Sequence, residues 1–496
     1  MKSWLQTENL ILEIAAMKWN CPAGKEIIAG NSIDAVLKPE QGYYILIEIT
    51  EDATLKKARN DITKLNIARN YLFTNNIFAK CYIIINGNIT ESMRGAATEC
   101  KIEIMSVDEF YDNYLGCRQY VAMRKDKSFG SCIDIETGET ERNEYIPVKY
   151  IEYDIDENFT LSEKRNIFLP DILDSIRKGK KIVLLGEYGT GKSRCLKELF
   201  FCIRSEFSFS EMFPVSVNLR ECGGLKRSSE ILRRHYEDLG LSDKADGLIK
   251  MWTHKNFTFL LDGFDEIAAQ GWSENKETIK NIRFQSLSGV REVIQAAHGG
   301  VLICGREHYF SSHQEMLQLL GIKKHQAIII RCKEQFEDEE FDDFLNSTGN
   351  ISVPKWMPRR PLICNITAKF SDDEKRILLN EDSGEVAFWN KFLDLICLRE
   401  ERMFQTFVAE TTKKILVRIS RFTRSKNNEV GPITPNEIRK AFEDILGSYP
   451  IEQASVLLQR LVGLGRYEAE SENRKFADLY ILDGLRALDV LEIIKN

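Results

Sequence analysis

This sequence predicts a multidomain α/β protein: a small α/β domain first, a three-layer α/β domain in the middle, and a largely helical last third. Three observations predict it. Residues 1–116 alternate strand and helix patterns, with apolar strands at Tyr43–Thr50 and Lys80–Ile85 around a helix at Leu55–Tyr71. A glycine-rich loop, Gly186–Ser193, stands between an apolar strand, Lys181–Leu185, and a helix with an apolar face, Arg194–Phe201. Two further apolar runs, Phe257–Asp262 and Val301–Arg306, end in a charged residue. Strands of that kind deliver side chains to ligands at the carboxyl edge of an open parallel sheet.

In the first domain a helix near Leu10–Lys18 precedes a strand at Ser32–Leu37. The helix at Leu55–Tyr71 keeps Ala58, Ile62 and Leu65 at helical spacing, continued by Leu72. Asp34 sits on the first strand, and Glu48 lies in the middle of an otherwise apolar one. A carboxylate there is costly unless paired or metal-bound, and a hairpin can bring both acids onto one Mg²⁺. This arrangement resembles the restriction-endonuclease-like, PD-(D/E)xK, fold. The resemblance implies Glu13 as the helix acid, Asp34 as the strand acid and Glu48 as the third, with Asp34 and Glu48 holding the metal and DNA or RNA as the target. The lysine that the pattern places two residues after Glu48 is Thr50 here. Lys57, with Lys56 behind it, is expected to supply that charge. An inactive scaffold of the same fold is the alternative.

Residues 117–160 read as a charged connector. It contains a turn-rich hairpin at Phe129–Glu139 and a short basic run, Arg118, Arg124, Lys125 and Lys127, either solvated or in contact with phosphates. A helix at Pro170–Arg177 leads into the strand before the glycine-rich loop.

Residues 161–330 form the middle domain. Gly186-Glu187-Tyr188-Gly189-Thr190-Gly191-Lys192-Ser193 matches G-x-x-x-x-G-K-[ST] in its strand–loop–helix context. Inward-turned N–H groups of such a loop cradle phosphate oxygens, and the following helix start favours an anion. Residues 186–194, through Arg194, are therefore the expected nucleotide-binding set, with Lys192 on the β- and γ-phosphates and Ser193 on Mg²⁺. Asp262 joins Ser193 on the metal. Asp265 or Glu266 polarises the attacking water, or caps the next helix. Arg306 reaches the γ-phosphate through its planar fork.

At these residues the chain resembles the NACHT family of STAND signal-transducing NTPases. The specific part is Leu260-Leu261-Asp262-Gly263-Phe264-Asp265-Glu266; Met357-Pro358-Arg359-Arg360-Pro361-Leu362-Ile363 is similar to the family's proline motif. The resemblance covers roughly residues 161–490 and implies that Pro361 packs against the nucleotide base. Relatives often carry a winged-helix His on the β-phosphate of ADP. Here Asp478 stands at that place, and all six histidines lie at or before His325. The ADP-locked state is therefore expected to be weak.

Residues 331–405 read as a helical domain and residues 406–496 as a winged helix. In the latter, Thr434-Pro435-Asn436-Glu437 starts one helix, Ile451–Leu461 forms a second, and Tyr467–Asp478 supplies the wing. Few basic residues line it, which favours an intramolecular lid over a DNA reader.

Length and composition bound the rest. The chain has 496 residues, 43% of them apolar, enough for three or four domains. A net charge of −7 argues against a protein that coats nucleic acid. Twelve scattered cysteines without C-x-x-C pairs read as reduced core thiols of a cytoplasmic protein. No apolar run approaches a membrane span, and no signal-peptide core follows Met1. The resemblance implies an ATP-dependent switch in bacterial antiphage defence, which homo-oligomerises on activation, answers to a separate sensor or trigger, and delivers its nuclease-like domain as effector. A nucleotide-gated scaffold and an ATP-driven restriction motor on DNA are the alternatives.

Overall fold

The computed structural model describes residues 2–127, 129–134, 137–138, 145–267, 276–348, 352–404, 408–426, 430–448, 461–467, 473–476 and 479–495. Two compact units divide them. The first comprises residues 1–124, 206–213 and 232–256, and the second residues 125–205, 214–231 and 257–496.

The first unit is built on a five-stranded sheet in the order β1-β2-β3-β4-β5: β1 (Gly24–Ile28), β2 (Asn31–Glu40), β3 (Tyr43–Thr50), β4 (Phe78–Ile85) and β5 (Glu103–Ser106). β1, β2 and β3 are antiparallel, and β3, β4 and β5 run parallel. The two-residue turn after Glu40 allows the antiparallel step; the helix Leu55–Thr74 makes the parallel crossover from β3 to β4. That helix buries Ala58, Ile62, Leu65 and Leu72 against Leu46, Ile83 and Ile85 of the sheet. Beyond the sequence reading, the unit also has β1, β5 and the helices Glu91–Glu99, Val107–Leu115 and Cys117–Asp126. Arg124, from the basic run expected to be solvated or in contact with phosphates, is buried.

The second unit holds a seven-stranded sheet in the order β7-β6-β12-β8-β11-β10-β9. Its strands are β6 (Tyr150–Ile155), β7 (Leu161–Ile167), β8 (Lys181–Leu185), β9 (Phe213–Asn218), β10 (Phe257–Asp262), β11 (Val301–Gly305) and β12 (Ala327–Cys332). β12, β8, β11 and β10 are mutually parallel, and β6 and β7 add an antiparallel edge. The sequence reading missed that edge: residues 150–155, in the expected connector, and 161–167, at the start of the expected middle domain, are strands. β10 is buried at every position and β8 at all but its first, as strands covered on both faces must be.

β11 lies between β8 and β10, so the phosphate-loop strand and the acid-terminated strand are separated by the strand that ends before Arg306. All three carboxyl ends meet at one edge. This layout is consistent with a phosphate-loop nucleotide-binding fold.

The rest of the second unit is mainly helical: Asp338–Ser347, Pro361–Ala368, Asp372–Leu378, Glu385–Phe404, Ala409–Phe422, Pro435–Leu446 and Leu479–Lys495. A small antiparallel hairpin pairs β13 (Leu464–Arg466) with β14 (Arg474–Phe476). Phe388, Trp389, Phe392, Ile415, Ile419 and Leu482 form its apolar centre. The expected helix at Ile451–Leu461 and Asp478 lie outside the described residues, apart from the buried Leu461.

Candidate nucleotide and metal sites

The phosphate loop follows β8 directly, and the helix Lys192–Glu206 begins at its last two residues. The loop is held from within: Thr190 Oγ1 donates to the carbonyl of Glu187 at 2.9 Å, and Lys192 Nζ donates to the carbonyls of Gly186 and Glu187 at 2.8 and 2.9 Å. The helix Pro361–Ala368 presses on the loop, where Leu362 N–H donates to Gly189 O at 3.1 Å and Arg360 Nη1 to Tyr188 O at 3.1 Å. Arg194 pairs with Glu198 at 2.9 Å and lies over the Tyr145 ring.

Opposite the loop stand the acids. Asp262 ends β10 level with Cys304, whose Sγ donates to Asp262 Oδ1 at 2.8 Å. Burial pushes the Cys304 thiol well up, so it stays a donor. Asp262 Oδ2 is buried and has no hydrogen-bond partner. An orphaned buried anionic oxygen is costly unless a cation meets it. Together with the Ser193 hydroxyl it offers the hard oxygen donors that suit Mg²⁺, an ion usually held by one or two protein groups plus phosphate. The residues present therefore fit that metal.

Gly263 follows at φ +83°, and this left-handed turn needs glycine. It folds the next three residues into a short 3₁₀ turn and sends the two acids different ways. Asp265 is buried against Arg306: Oδ2 lies 3.2 Å from Arg306 Nε, and Oδ1 accepts the Arg306 backbone N–H at 3.1 Å. Glu266 is half-buried and lines the cavity with Lys192 and Asp262.

The cavity has a volume of about 410 Å³. Its lining combines the phosphate loop, Asp262, Glu266 and Arg306 with the apolar side chains of Ile146, Val148, Phe336, Phe344, Pro361 and Ile366. Charged and apolar lining together suit a nucleotide's phosphates and base. Sequence reading missed the neighbours of Tyr188: the guanidinium carbons of Arg306 and Arg399 are 5.4 and 5.5 Å from its ring centre. Its hydroxyl accepts from Arg399 Nη1 at 2.8 Å and donates to Glu400 Oε1 at 3.2 Å. Arg399 and Glu400 sit mid-helix with no motif around them, so no local signal could have found them.

In the first unit the structure brings together Asp34, Glu48, Asp61, Lys57 and Lys64. Glu48 is only 1% exposed. Its Oε2 pairs with Lys64 Nζ at 2.6 Å, and its Oε1 has no hydrogen-bond partner. Burial, countered by the Lys64 hydrogen bond and reinforced by Asp34, pushes the Glu48 carboxyl up to about 7. Asp34 Oδ2 accepts the Ile49 N–H at 3.0 Å.

The lysine against Glu48 is Lys64, whereas Lys57 pairs with Asp61 at 2.6 Å. The two lysines lie two turns apart on one helix face, which was the available signal. Glu13 is elsewhere, 3.2 Å from His254. Among the described residues no three His, Cys, Asp or Glu side chains gather closely enough to hold a metal by themselves. No described helix is long and apolar enough to cross a membrane.

No family model matches this chain, and no curated protein matches its sequence. Among solved structures it is similar to domain III of the Thermotoga maritima replication initiation protein DnaA, at 11% identity over 56% of this chain and 89% of that one, with a TM-score of 0.24. It is similar to the Aeropyrum pernix ORC1 protein in complex with DNA, at 13% identity over 66% and 93%, with a TM-score of 0.28. It is also similar to the Aeropyrum pernix ORC2 protein, at 12% identity over 69% and 100%, with a TM-score of 0.25. Likenesses this distant set no fold; the assignment of the middle domain rests on its own strand order and loop.

Proposed function

We propose that this chain is a nucleotide-operated switch that binds ATP with Mg²⁺ in the second unit and hydrolyses it. The observation that carries the reading is the buried, unpartnered Asp262 Oδ2 at the end of β10, in one cavity with Lys192 and Ser193. Lys192 would leave the loop carbonyls for the β- and γ-phosphates. Ser193 and Asp262 would hold Mg²⁺, which when bound neutralises phosphate charge. Glu266 is the base that orients water and takes its proton as the water oxygen bonds to the γ-phosphorus and the bond from γ-phosphorus to the bridging oxygen breaks, releasing phosphate and ADP. Asp265 fixes Arg306, and Arg306 reads the γ-phosphate. The nucleotide's base would pack on the apolar lining beside Pro361. Titrating ATP into wild type and Lys192→Ala tests this; equal affinity would overturn it.

The finer reading is a NACHT-type switch with the five-part division at 116, 160, 330 and 405, in which a carboxyl-terminal winged-helix lid opens with ATP and permits homo-oligomerisation. A cytoplasmic place, an antiphage role and a separate trigger protein belong to the same reading. A nucleotide-dependent change in mass by light scattering tests its core.

A second reading concerns the first unit, where buried Glu48 beside Asp34 and Lys64 supports a metal-dependent site for DNA or RNA. Asp34 and Glu48 are the donors, and Lys64 takes the place first given to Lys57. Incubating DNA and RNA with wild type and Asp34→Ala tests it. Cleavage lost only in the variant supports an effector nuclease. No cleavage by either protein supports the scaffold, and continuous DNA-stimulated ATP turnover would instead support a motor.

A further inference from the structure

Residues 129–134 pass directly against Ser193 and Asp262, the proposed magnesium holders. Gly130 N–H donates to Asn218 Oδ1 at 2.8 Å. Ser131 N–H donates to Ser193 Oγ at 3.3 Å, and Ser131 Oγ lies 3.1 Å from the same oxygen. Gly130 has φ +50°, and a Cβ built on it would lie 1.7 Å from Asp262 Oδ2 and 2.8 Å from Ser193 Oγ. Magnesium binds oxygen at about 2.0–2.1 Å and keeps much of its octahedral water shell. The backbone of this strap therefore fills the space such an ion and its waters need. Ser131 also engages the hydroxyl that Ser193 would turn to a metal.

The strap is fastened from the helical part of the same unit. Lys369 Nζ pairs with Asp134 at 2.8 Å, and Arg399 Nη2 donates to the carbonyl of Ser131. Arg399 is the buried guanidinium that also holds the Tyr188 hydroxyl. One side chain thus ties the strap to the phosphate loop.

From this packing we infer that residues 129–134 are a built-in plug of the metal position, so that Mg²⁺-nucleotide takes Ser193 and Asp262 only after the strap has lifted. The inference rests on the reading of those two residues as the magnesium site. Strap release and metal-nucleotide binding are then one coupled equilibrium. ATP without metal leaves the strap seated, and Mg²⁺ selects the lifted form.

Hydrogen exchange on the full chain tests this, read on the peptide containing Gly130 and Ser131, without nucleotide, with ATP and EDTA, and with ATP and Mg²⁺. Exchange should rise only in the last condition. Calorimetric titration of ATP, with Mg²⁺ and with EDTA, extends the test to Gly130→Ala and Asp134→Ala. The first variant places a methyl group against Asp262, and the second frees the strap from Lys369. Asp134→Ala should raise the preference for Mg²⁺-ATP over ATP alone roughly 2- to 5-fold, the range of a partly exposed ion pair. Gly130→Ala should raise it at least as far. Strap amides that stay equally protected with Mg²⁺-ATP, or variants that weaken Mg²⁺-ATP binding, would overturn the plug while leaving the nucleotide site standing. Absence of ATP binding by wild type and both variants, in either condition, would remove the nucleotide reading and the plug with it.

Discussion

Replacing Glu48 by Gln should stabilise the first unit at pH 8.5 and leave it nearly unchanged near pH 4. The carboxyl is raised from 4.5 to about 7 by burial, against the opposing Lys64 hydrogen bond. Below pH 4.5 both folded and unfolded chains carry the proton, and nothing is lost. Between 4.5 and 7 the unfolded chain releases it while the folded chain keeps it, so stability falls as pH rises. Above 7 both are ionised and the loss is complete, about 3 kcal/mol. Gln carries no charge to desolvate, but it leaves Lys64 without its anion, so a net gain of roughly 1–3 kcal/mol is expected at pH 8.5. Hydrogen exchange of the β3 amides, compared between wild type and variant at the same pH, reads this as about 10- to 100-fold slower exchange. Faster exchange in Glu48→Gln at pH 8.5 would refute the reasoning, because the ionised pair would then be a net stabiliser. If Asp34 and Glu48 hold a metal, added Mg²⁺ should slow exchange in wild type and not in the variant.

Three further outcomes follow from the second unit. Asp265→Ala leaves the buried Arg306 without its carboxylate, and chemical unfolding should show a loss of about 3–5 kcal/mol. Glu266→Gln should stay within ~0.5 kcal/mol of wild-type stability yet slow ATP turnover by about 10² at unchanged nucleotide affinity; equal turnover would make Glu266 structural. Gly305→Ala would set a Cβ 2.6 Å from the Phe264 ring, and thermal unfolding should show about 1–3 kcal/mol of destabilisation.

Much of the middle domain was legible because its signals are local. A phosphate loop is contiguous, and β8, β10 and β11 are apolar runs whose ends carry their own chemistry. The edge strands β6 and β7 were not legible. Tyr150–Ile155 mixes acids with apolar residues, and Leu161–Ile167 is exposed at nearly every position, so neither carries a core pattern. Strand β3 was read to the residue, and Glu48 stood out as a carboxylate inside it. Which lysine meets Glu48 depends on how the next helix rolls on the sheet, and Lys57 and Lys64 share one face. Asp265 and Glu266 looked alike in sequence; the left-handed Gly263 separates a buried partner of Arg306 from an acid in the cavity. In the strap, Gly130-Ser131 is turn chemistry, and the turn is there, closed by an antiparallel bridge between Phe129 and Cys132. Nothing near it in the chain signals that Asp262 and Ser193 will lie against it.

The central claim is that Lys192, Ser193 and Asp262 form one site for ATP and Mg²⁺. Calorimetric titration of ATP into wild type, Lys192→Ala and Asp262→Asn, each with Mg²⁺ and with EDTA, tests it most directly. The account predicts single-site binding in wild type that Mg²⁺ strengthens, no measurable binding in Lys192→Ala, and binding in Asp262→Asn that Mg²⁺ no longer strengthens. Undiminished affinity in Lys192→Ala, or the full Mg²⁺ effect in Asp262→Asn, would contradict it.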